Sequence, residues 1–442
     1  MMSIYVPYSR RELINEPRVV FLGRYRVEFK AFGLAEYMYS TPVVIIAGDF
    51  QKFSHYREFV LTLQNHRPVV IVSLPSCGGN DQRVANLSLD EMAGILKSFL
   101  EHFDFPKVSL ISMSLGGWVA SRFCCLYPER VHRLLLAGIA RKPRKSFCMT
   151  LEESVSILSE STENFADAMI LHLFHPRFWG GDSVGGESSA EVISGVSYRK
   201  LFRRQIGQLS ALEKRCYQDN VQRLLSDRQT DSLPAVKTLV LAGQYDHFTL
   251  PFESAEYAQA CLDAEFVLIK GADHLIQYEC MGAVLDCIVQ FLAGRSLAGV
   301  AGIAVGEDAI QMSLNKRTSP RLMPKKSKAR LLSGSSGLTQ NVLVRDVNYR
   351  GGVLELSDQA LSFLSEEKDL ELLFPDMDLK FKVVIFDIDV RCVKFLFKHI
   401  DIGQAATFVH TLSDPKYFIK RKKKKALPDS DDYCTGEESL AN

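Results

Sequence analysis

The feature that most constrains the fold of this chain is an alternation of short β-branched runs with longer amphipathic stretches between residues 18 and 293. Apolar runs of this length suit the strands of a parallel sheet that is covered on both faces. Strands that alternate with helices predict an α/β fold with a doubly wound, mostly parallel sheet. The predicted strands are Pro42–Ala47, Pro68–Leu74, Lys107–Met113, Arg133–Ala137, Val236–Ala242 and Glu265–Ile269. The predicted helices are Ser54–Leu63, Leu89–Phe103, Leu115–Leu126, Ser254–Cys261 and Leu275–Leu292.

The chain has 442 residues, more than one hydrophobic core usually organises, which predicts two domains. In the first, residues 1–293, the segment 141–233 contains helical periods without a convincing strand, which predicts a helical lid. The alternative is a helical subdomain with a packing role alone. Residues 294–315 are rich in Gly and Ala and are predicted to be a linker. Residues 316–419 contain strands separated by turns, which predicts a small antiparallel β domain. The helical periods of the lid are Leu151–Leu158, Asn164–Leu173 and Leu201–Leu225.

Residues 420–442 combine a basic run, Lys420–Lys425, with an acidic tail, and we expect them to be disordered. The basic run is either a contact for a membrane surface or nucleic acid, or a solvated tail partly neutralised by the acidic residues, and we favour the second interpretation. The formal net charge of +1 gives no overall attraction to nucleic acid or anionic membranes. We therefore expect no nucleic-acid partner.

The cysteines and the N-terminus bear on the compartment. Ten cysteines lack paired spacing and form no CxxC pair, so the sequence predicts neither a disulfide framework nor a metal site. Reduced thiols suit the cytosol. The N-terminus lacks the apolar region of a signal peptide, and the apolar stretch Phe291–Val305 is shorter than the about 20 residues of a membrane span. We therefore expect a cytoplasmic protein.

The strongest local signal is the string ISMSLGGWVASRF, in which Ser114 lies between a predicted strand and a predicted helix. The small residues Ser112 and Gly116 flank it two positions away on either side, which lets strand and helix approach closely. Such a turn holds the serine oxygen above the sheet, beside the helix N-terminus and the backbone N–H of Leu115. The pattern predicts a nucleophile with Leu115 as one oxyanion donor.

A serine nucleophile needs a base, and the base needs an acid that orients it. Asp246 and His274 each follow a predicted strand, at the edge of an open α/β sheet where catalytic groups collect. The order Ser114, Asp246, His274 along the chain predicts a catalytic triad. His247 and Asp273 are neighbours that could be mistaken for its members. Alternatively, Asp246 caps a helix and His274 is a hydrogen-bonded loop residue.

Together these motifs resemble the α/β-hydrolase superfamily over about residues 18–293, with the acid loop GQYD and the histidine loop GADH. The resemblance implies a serine hydrolase fold with a lid and no catalytic cofactor. Most members have His-Gly after the third strand as part of the oxyanion hole, whereas this chain has Ala47-Gly48-Asp49-Phe50. The N–H of Asp49 or Phe50 is the expected second donor, and we assign it to Asp49.

The SxSxGG turn, the GxxDxxT loop and the missing His-Gly most resemble the subgroup containing the acyltransferase that joins two 3-hydroxyacyl chains into the rhamnolipid precursor. The resemblance implies an acyl ester or thioester substrate, carried on acyl carrier protein or coenzyme A. Ser114 would form an acyl-enzyme that is released to water or to an acceptor hydroxyl. The sequence leaves hydrolase and transferase open.

Two motifs of the C-terminal region, Lys316–Arg321 (KRTSPR) and Asp346–Gly351 (DVNYRG), resemble those of the PilZ domain, a bacterial receptor for cyclic di-GMP. Arginine side chains suit this ligand because they pair with guanine or phosphate and stack on bases. In the family's second motif a Ser usually occupies the position of Asn348. The resemblance assigns the ligand to Arg317, Arg321, Asp346, Asn348 and Gly351.

Three hypotheses follow from the sequence. The first is a cytoplasmic serine acyl hydrolase or acyltransferase controlled by cyclic di-GMP through its C-terminal domain. The second is a catalytically inactive hydrolase-fold domain that serves as a cyclic di-GMP-responsive interaction module. The third keeps the enzyme and gives the PilZ-like domain a structural role only.

Overall fold

The computed structural model describes most of the chain as two compact units. The first unit contains residues 1–142, 190–198 and 208–316, and the second contains residues 143–189, 199–207 and 317–442. The described residues are 4–77, 80, 82–175, 192–193, 196–226, 232–314, 319–334, 336–357, 361, 364, 369–398 and 401–420.

The strands are β1 (Arg18–Leu22), β2 (Tyr25–Phe32), β3 (Val43–Ile46), β4 (Val69–Ser73), β5 (Val108–Met113), β6 (Val131–Ala137), β7 (Val192–Ile193), β8 (Val196–Ser197), β9 (Thr238–Gly243), β10 (Ala264–Ile269), β11 (Ile303–Val305), β12 (Leu322–Pro324), β13 (Lys328–Ser333), β14 (Thr339–Asn348), β15 (Gly351–Glu355), β16 (Leu370–Phe374), β17 (Leu379–Asp389), β18 (Cys392–Phe397) and β19 (Phe418–Lys420). The helices are α1 (Arg10–Ile14), α2 (Arg57–Leu63), α3 (Leu89–His102), α4 (Leu115–Leu126), α5 (Lys145–Glu160), α6 (Thr162–Leu173), α7 (Tyr198–Gly207), α8 (Ala211–Ser226), α9 (Pro251–Ala260), α10 (Ile276–Glu279), α11 (Met281–Leu292), α12 (Gly306–Ser313) and α13 (Ile402–Ser413).

The first unit is built on one sheet whose strand order, in the described residues, is β1-β2-β4-β3-β5-β6-β9-β10-β11. The central strands β4, β3, β5, β6, β9 and β10 run parallel, while β1, β2 and β11 are antiparallel additions at the edges. The predicted α/β fold with a mostly parallel sheet is confirmed. The antiparallel edge strands were not predicted from the sequence.

Both faces of the sheet are covered by helices, as the uninterrupted apolar runs predicted. In β3, Val44 and Ile46 lie in a hydrophobic cluster with residues of α3, α4 and α9. The alternate residues Val43 and Ile45 lie in a second cluster with residues of α2 and α11. Successive side chains of a strand point to opposite faces, so a strand that is buried on both faces is mostly apolar at successive positions and does not alternate between apolar and polar residues.

The segment predicted as a linker, residues 294–315, contains β11 and α12. Ile303 of β11 pairs with Ile269 of β10 and continues the sheet. Ala309 of α12 is fully buried in the first hydrophobic cluster. The small residues of this segment therefore serve close packing and turns, such as the one at Gly302, whose φ is +77°. Composition alone does not distinguish such a segment from a flexible linker.

Residues 141–233 contain helices α5, α6, α7 and α8 in their described part. The predicted period Leu201–Leu225 is interrupted, because α7 ends at Gly207 and α8 begins at Ala211. Ser210 and Glu213 form a reciprocal capping box: Ser210 N donates to Glu213 Oε2 (2.8 Å) and Glu213 N donates to Ser210 Oγ (3.2 Å). The insertion also divides between the units, since α8 belongs to the first and α5, α6 and residues 199–207 to the second.

The second unit contains a closed antiparallel barrel of six strands in the described residues. The strands follow the order β13-β16-β17-β18-β15-β14, and β14 pairs with β13 to close the ring. Leu331, Leu372, Phe381 and Phe395 fill its interior, together with Phe408 of α13. The predicted C-terminal antiparallel barrel domain is confirmed.

Helices α5 and α6 of the insertion pack with the barrel inside the second unit. Leu171 of α6 lies in the same hydrophobic cluster as the barrel interior. Lys398, directly after β18, forms an ion pair with Glu153 of α5 at 2.6 Å. Helix α6 therefore contributes to the hydrophobic cluster of the barrel, and α5 contacts the barrel through an ion pair.

Candidate active site

Ser114 lies in the turn between β5 and α4 and has the backbone angles φ 54° and ψ −130°. A non-glycine residue with positive φ is strained unless its surroundings hold it. Ser114 N donates to Ala137 O (2.9 Å), and Gly117 N donates to Ser114 O (2.8 Å). Ser114 is half-buried in this position. Leu115, the first residue of α4, has a backbone N–H without an intrahelical acceptor.

Ser112 occupies the position where the family pattern usually has glycine. Its hydroxyl donates to Ile46 O at 3.0 Å and so has a partner in the buried interior. A Cβ added to Gly116 would lie 2.4 Å from Ser112 Oγ and 3.0 Å from Ile46 O. Glycine is therefore required at position 116, where β3, β5 and α4 converge.

Asp246 and His274 complete a hydrogen-bonded chain to the serine. His274 Nε2 lies 3.1 Å from Ser114 Oγ, and His274 Nδ1 lies 2.8 Å from Asp246 Oδ2. Asp246 is 1% exposed and His274 6% exposed. The structure thus brings together the three residues that the sequence selected, with Asp246 rather than Asp273 beside the imidazole.

The Asp246 carboxylate also fixes its own loop. Its Oδ1 accepts hydrogen bonds from Phe248 N and Thr249 N, both at 2.9 Å, which leaves Oδ2 for His274. The ring of Phe248 meets the imidazole edge-on, with centroids 5.0 Å apart. The acid and the base are therefore held on rigid partners before any substrate arrives.

Two glycines hold the base and acid loops, and the sequence interpretation missed both. A Cβ on Gly138, whose φ is +62°, would lie 2.8 Å from His274 Cε1. A Cβ on Gly243 would lie 1.9 Å from Asp273 O. Each glycine directly follows a predicted strand. A glycine at that place was the sequence signal that could have indicated a close approach of the backbone to a neighbouring loop.

The loop after β3 passes beside the nucleophile turn. A Cβ added to Gly48 would lie 3.1 Å from Met113 O and 3.5 Å from Gly116 N. Gly48 N donates to Gln51 Oε1 at 2.9 Å. Asp49, the next residue, is half-buried. This approach brings the Gly48–Asp49 peptide next to the turn that carries Ser114.

The side chain of Asp49 is held from α8. Asn220 Nδ2 lies 2.5 Å from Asp49 Oδ1. Burial raises the pKa of Asp49 to about 7, opposed by the Asn220 hydrogen bond and by the positive charge of Arg223. Burial raises the pKa values of the Cys77 and Cys216 thiols, and the negative charge of Asp49 adds to both increases.

In the barrel, the candidate ligand residues lie at the start of the domain and across the β14–β15 turn. Arg321 Nη1 donates to Asp346 Oδ1. Asn348 Oδ1 accepts from Arg350 N (2.9 Å) and from Gly351 N (3.1 Å). The structure therefore brings Arg321 to Asp346, while Arg317 lies outside the described residues. A Cβ on Gly351 would lie 2.0 Å from Phe395 O.

Comparison of the sequence with known protein families gives a match that covers the strands and loops of this site. A profile of the alpha/beta hydrolase fold matches residues 41–279, more than half of the chain. The chain belongs to the α/β-hydrolase fold family.

Several relatives share this region. A 2-hydroxy-6-oxononadienedioate/2-hydroxy-6-oxononatrienedioate hydrolase of Escherichia coli is 24% identical over 231 residues, which are 51% of this chain and 76% of that protein. An enol-lactonase from Burkholderia xenovorans superposes with a TM-score of 0.52 at 16% identity, over 62% of this chain and 100% of its own. A thermophilic esterase from Thermogutta terrifontis gives a TM-score of 0.50 at 20% identity, over 63% of this chain and 98% of its own. At these identities the structural matches establish the fold.

Among the described residues, no group of three or more His, Cys, Asp or Glu side chains is arranged to hold a metal ion. No helix in the same part of the chain is long and apolar enough to cross a membrane.

Replacement of Gly138 by alanine tests whether this position keeps the base in place. The added Cβ would displace the His274 ring, and misplacement of a catalytic group by about 1 Å costs on the order of 10²-fold in rate. We expect Gly138→Ala to slow the reaction of Ser114 with a fluorophosphonate probe by about that factor, measured by intact mass. Gly23→Ala is the matched control, because Gly23 has φ +61° and nothing within 4 Å of the added Cβ. Equal rates for the two variants would contradict the assignment.

The raised pKa of Asp49 predicts a pH-dependent stability. Its folded pKa of about 7 exceeds the ordinary value of 3.8, so the folded state binds the extra proton. The stabilisation is complete below the unfolded pKa and is lost as pH rises through the folded pKa. The side chain of Asp49→Asn cannot titrate. As the pH rises from about 4 to about 7, the free energy of unfolding of Asp49→Asn should therefore increase relative to that of the wild-type protein. Urea unfolding across this range measures the difference, and a constant difference would refute the prediction.

Proposed function

We propose that this protein is a serine-dependent acyl hydrolase or acyltransferase that acts on an ester or thioester through an acyl-enzyme. The observation that carries the proposal is the chain of contacts from Ser114 Oγ to His274 Nε2 (3.1 Å) and from His274 Nδ1 to Asp246 Oδ2 (2.8 Å). A nucleophile, a base and an orienting acid in this order are the arrangement that activates a serine hydroxyl.

Each residue has a defined part in the proposed reaction. Ser114 Oγ attacks the acyl carbonyl while His274 Nε2 takes its proton, and Asp246 stabilises the imidazolium. The tetrahedral oxyanion accepts hydrogen bonds from the N–H groups of Leu115 and Asp49. Its collapse expels the alcohol or thiol, which receives the proton from His274. Water or an acceptor hydroxyl then attacks the acyl-enzyme carbonyl while His274 takes its proton. Collapse of this second intermediate breaks the bond to Ser114 Oγ, which recovers the proton from His274.

The acceptor in the second step separates hydrolysis from transfer. The E. coli relative and the structural relatives are described as a hydrolase, an enol-lactonase and an esterase, which supports release to water. The sequence resemblance to the 3-hydroxyacyl transferase subgroup supports transfer from an acyl carrier protein or coenzyme A thioester. A single turnover assay with an acyl-coenzyme A would separate these outcomes by the product formed.

Labelling with a fluorophosphonate tests the nucleophile. We expect a single covalent adduct by intact mass on the wild-type protein and none on Ser114→Ala, because the phosphonate reacts with activated serine hydroxyls. Asp246→Asn should keep the adduct but slow its formation, since the imidazole loses the partner that selects its tautomer. A wild-type protein that forms no adduct would contradict the enzyme proposal.

We further propose that cyclic di-GMP binds the barrel domain and regulates the enzyme. Arg321 beside Asp346, with Asn348 and Gly351 in the following turn, is the group of residues that supports binding. The contacts of the barrel with α6 through Leu171 and with α5 through Glu153 support regulation, because these helices belong to the insertion within the hydrolase sequence. Nucleotide binding would then alter the helices that the barrel holds.

The ion pair between Lys398 and Glu153 offers a test of this coupling. We expect cyclic di-GMP to raise the melting temperature of the full chain and to change its fluorophosphonate labelling rate. Arg321→Ala should abolish both effects. Lys398→Ala should keep the melting shift and reduce the change in rate, because it removes a contact between barrel and insertion helix.

Lys326→Ala is the matched control, since Lys326 pairs with Asp376 at 2.8 Å on the barrel surface. Suppose that the nucleotide changes the labelling rate by the same factor in Lys398→Ala, in Lys326→Ala and in the wild-type protein. That result would contradict coupling through the ion pair between Lys398 and Glu153. If the nucleotide shifts no melting temperature, the barrel is structural, as in the third hypothesis.

A second candidate function is an inactive hydrolase-fold interaction module that responds to cyclic di-GMP. The observation that favours it is Ala47-Gly48 at the position where most members of the family have His-Gly. The two candidates differ in the labelling experiment, because only an enzyme with an activated Ser114 forms the adduct.

A further inference from the structure

We infer that Asn220, on helix α8 of the insertion, is a positioning residue that holds the oxyanion loop, here defined as residues 48–52, in its catalytic conformation. The inference rests on the proposed function, because it concerns the second oxyanion donor of the same site. It assigns a mechanistic part to a residue that no sequence motif selected.

One face of α8 contacts the oxyanion loop at three of its residues. Positions separated by four and three residues along a helix lie on the same face. The three contacts come from positions 213, 217 and 220 and run along the loop in the opposite direction. They are Glu213 Oε1 with Lys52 Nζ at 3.5 Å, Tyr217 with Phe50 at 5.2 Å between ring centroids, and Asn220 Nδ2 with Asp49 Oδ1 at 2.5 Å.

Asn220 lies at one end of this row of contacts and is fully buried. Its Nδ2 donates to Asp49 Oδ1 (2.5 Å) and to Ser76 O (2.8 Å). Its Oδ1 accepts from Arg223 Nη1. These partners define the orientation of the amide: Nδ2 faces two acceptor oxygens and Oδ1 faces a donor. A flipped amide would place Oδ1 against the two acceptor oxygens, where no hydrogen bond can form.

The helix itself is anchored to the catalytic unit on both sides of Asn220. Asp219 forms a two-point ion pair with Arg83 at 2.6 and 2.8 Å. Arg223 is 6% exposed and donates through Nε to Leu87 O. Because α8 is fixed at these points, Asn220 acts as a rigid support for Asp49.

The supported residue carries the proposed oxyanion donor. Asp49 follows Gly48, whose own N–H is already bonded to Gln51 Oε1. Rotation of the Gly48–Asp49 peptide would turn the Asp49 N–H away from the oxyanion. The Asn220 hydrogen bond to the Asp49 side chain opposes this rotation. Its removal should therefore affect the transition state, where the donor acts, more than binding of the neutral substrate.

The test compares Asn220→Ala with Gln222→Ala in the full-length protein. Gln222 carries the same kind of amide on the exposed side of the same helix and serves as the matched control. We expect Asn220→Ala to lower the second-order rate of fluorophosphonate labelling of Ser114 by about 10-fold or more, given that loss of a whole oxyanion donor costs about 10²–10³-fold. With p-nitrophenyl acetate, kcat should fall while KM changes by less than about 2-fold.

A second variant covers the case in which Asn220→Ala does not fold. Asp49→Ala removes the same hydrogen bond from the loop side and should lower the labelling rate in the same direction. When both single variants fold, the double variant should react no more slowly than the slower of them, because both remove one interaction. Circular dichroism at the assay temperature establishes the folded fraction for each protein.

The outcomes separate this inference from the proposed function. Suppose that the wild-type protein is labelled and that folded Asn220→Ala or folded Asp49→Ala reacts within about 2-fold of the rate of Gln222→Ala. This result would overturn the positioning role and leave the enzyme proposal intact. A fall in rate that matches only a lower folded fraction also overturns it. Wild-type protein that is not labelled overturns the proposed function and this inference with it.

Discussion

The strained turn at Ser114 is the constraint on which the rest of the site depends. A serine at φ 54° persists only where its neighbours hold it, and here the end of β3, the strand β5 and the first turn of α4 meet around Gly116. This convergence holds the turn and leaves the Leu115 N–H unpaired by the helix. It also brings the Gly48 loop against the turn, so one packing arrangement positions both the proposed nucleophile and the proposed oxyanion donors.

The base and the acid depend on a second set of close approaches. Gly138 leaves room for the His274 ring, and Gly243 leaves room for the Asp273 carbonyl at the end of the neighbouring strand. Asp246 uses one oxygen for its own loop and the other for the imidazole, so its orientation does not depend on a substrate. A buried carboxylate with all its partners in place can stabilise an imidazolium without reorganisation.

The helical insertion has two roles because its helices belong to different units. Helix α8 contacts residues 48–52 within the first unit, whereas in the second unit α6 contributes Leu171 to the hydrophobic cluster of the barrel and α5 pairs with Lys398. Only residues 208–210 separate α7 from α8 along the chain. This short connection is one of the points at which the chain passes from one unit to the other, and it gives the proposed control by cyclic di-GMP a covalent path.

The sequence by itself determined the parallel sheet, the order of the triad residues and the presence of a C-terminal β domain. These depend on local patterns: mostly apolar runs, a small-Ser-small turn, and polar residues directly after strands. Only the tertiary structure decided that residues 303–313 extend the first unit, that the insertion divides between two units, and that Asn220 meets Asp49. Asn220 and Asp49 are 171 residues apart along the chain. A buried amide on an amphipathic helix has no local pattern that reveals its partner, because the partner is chosen by the packing of distant segments.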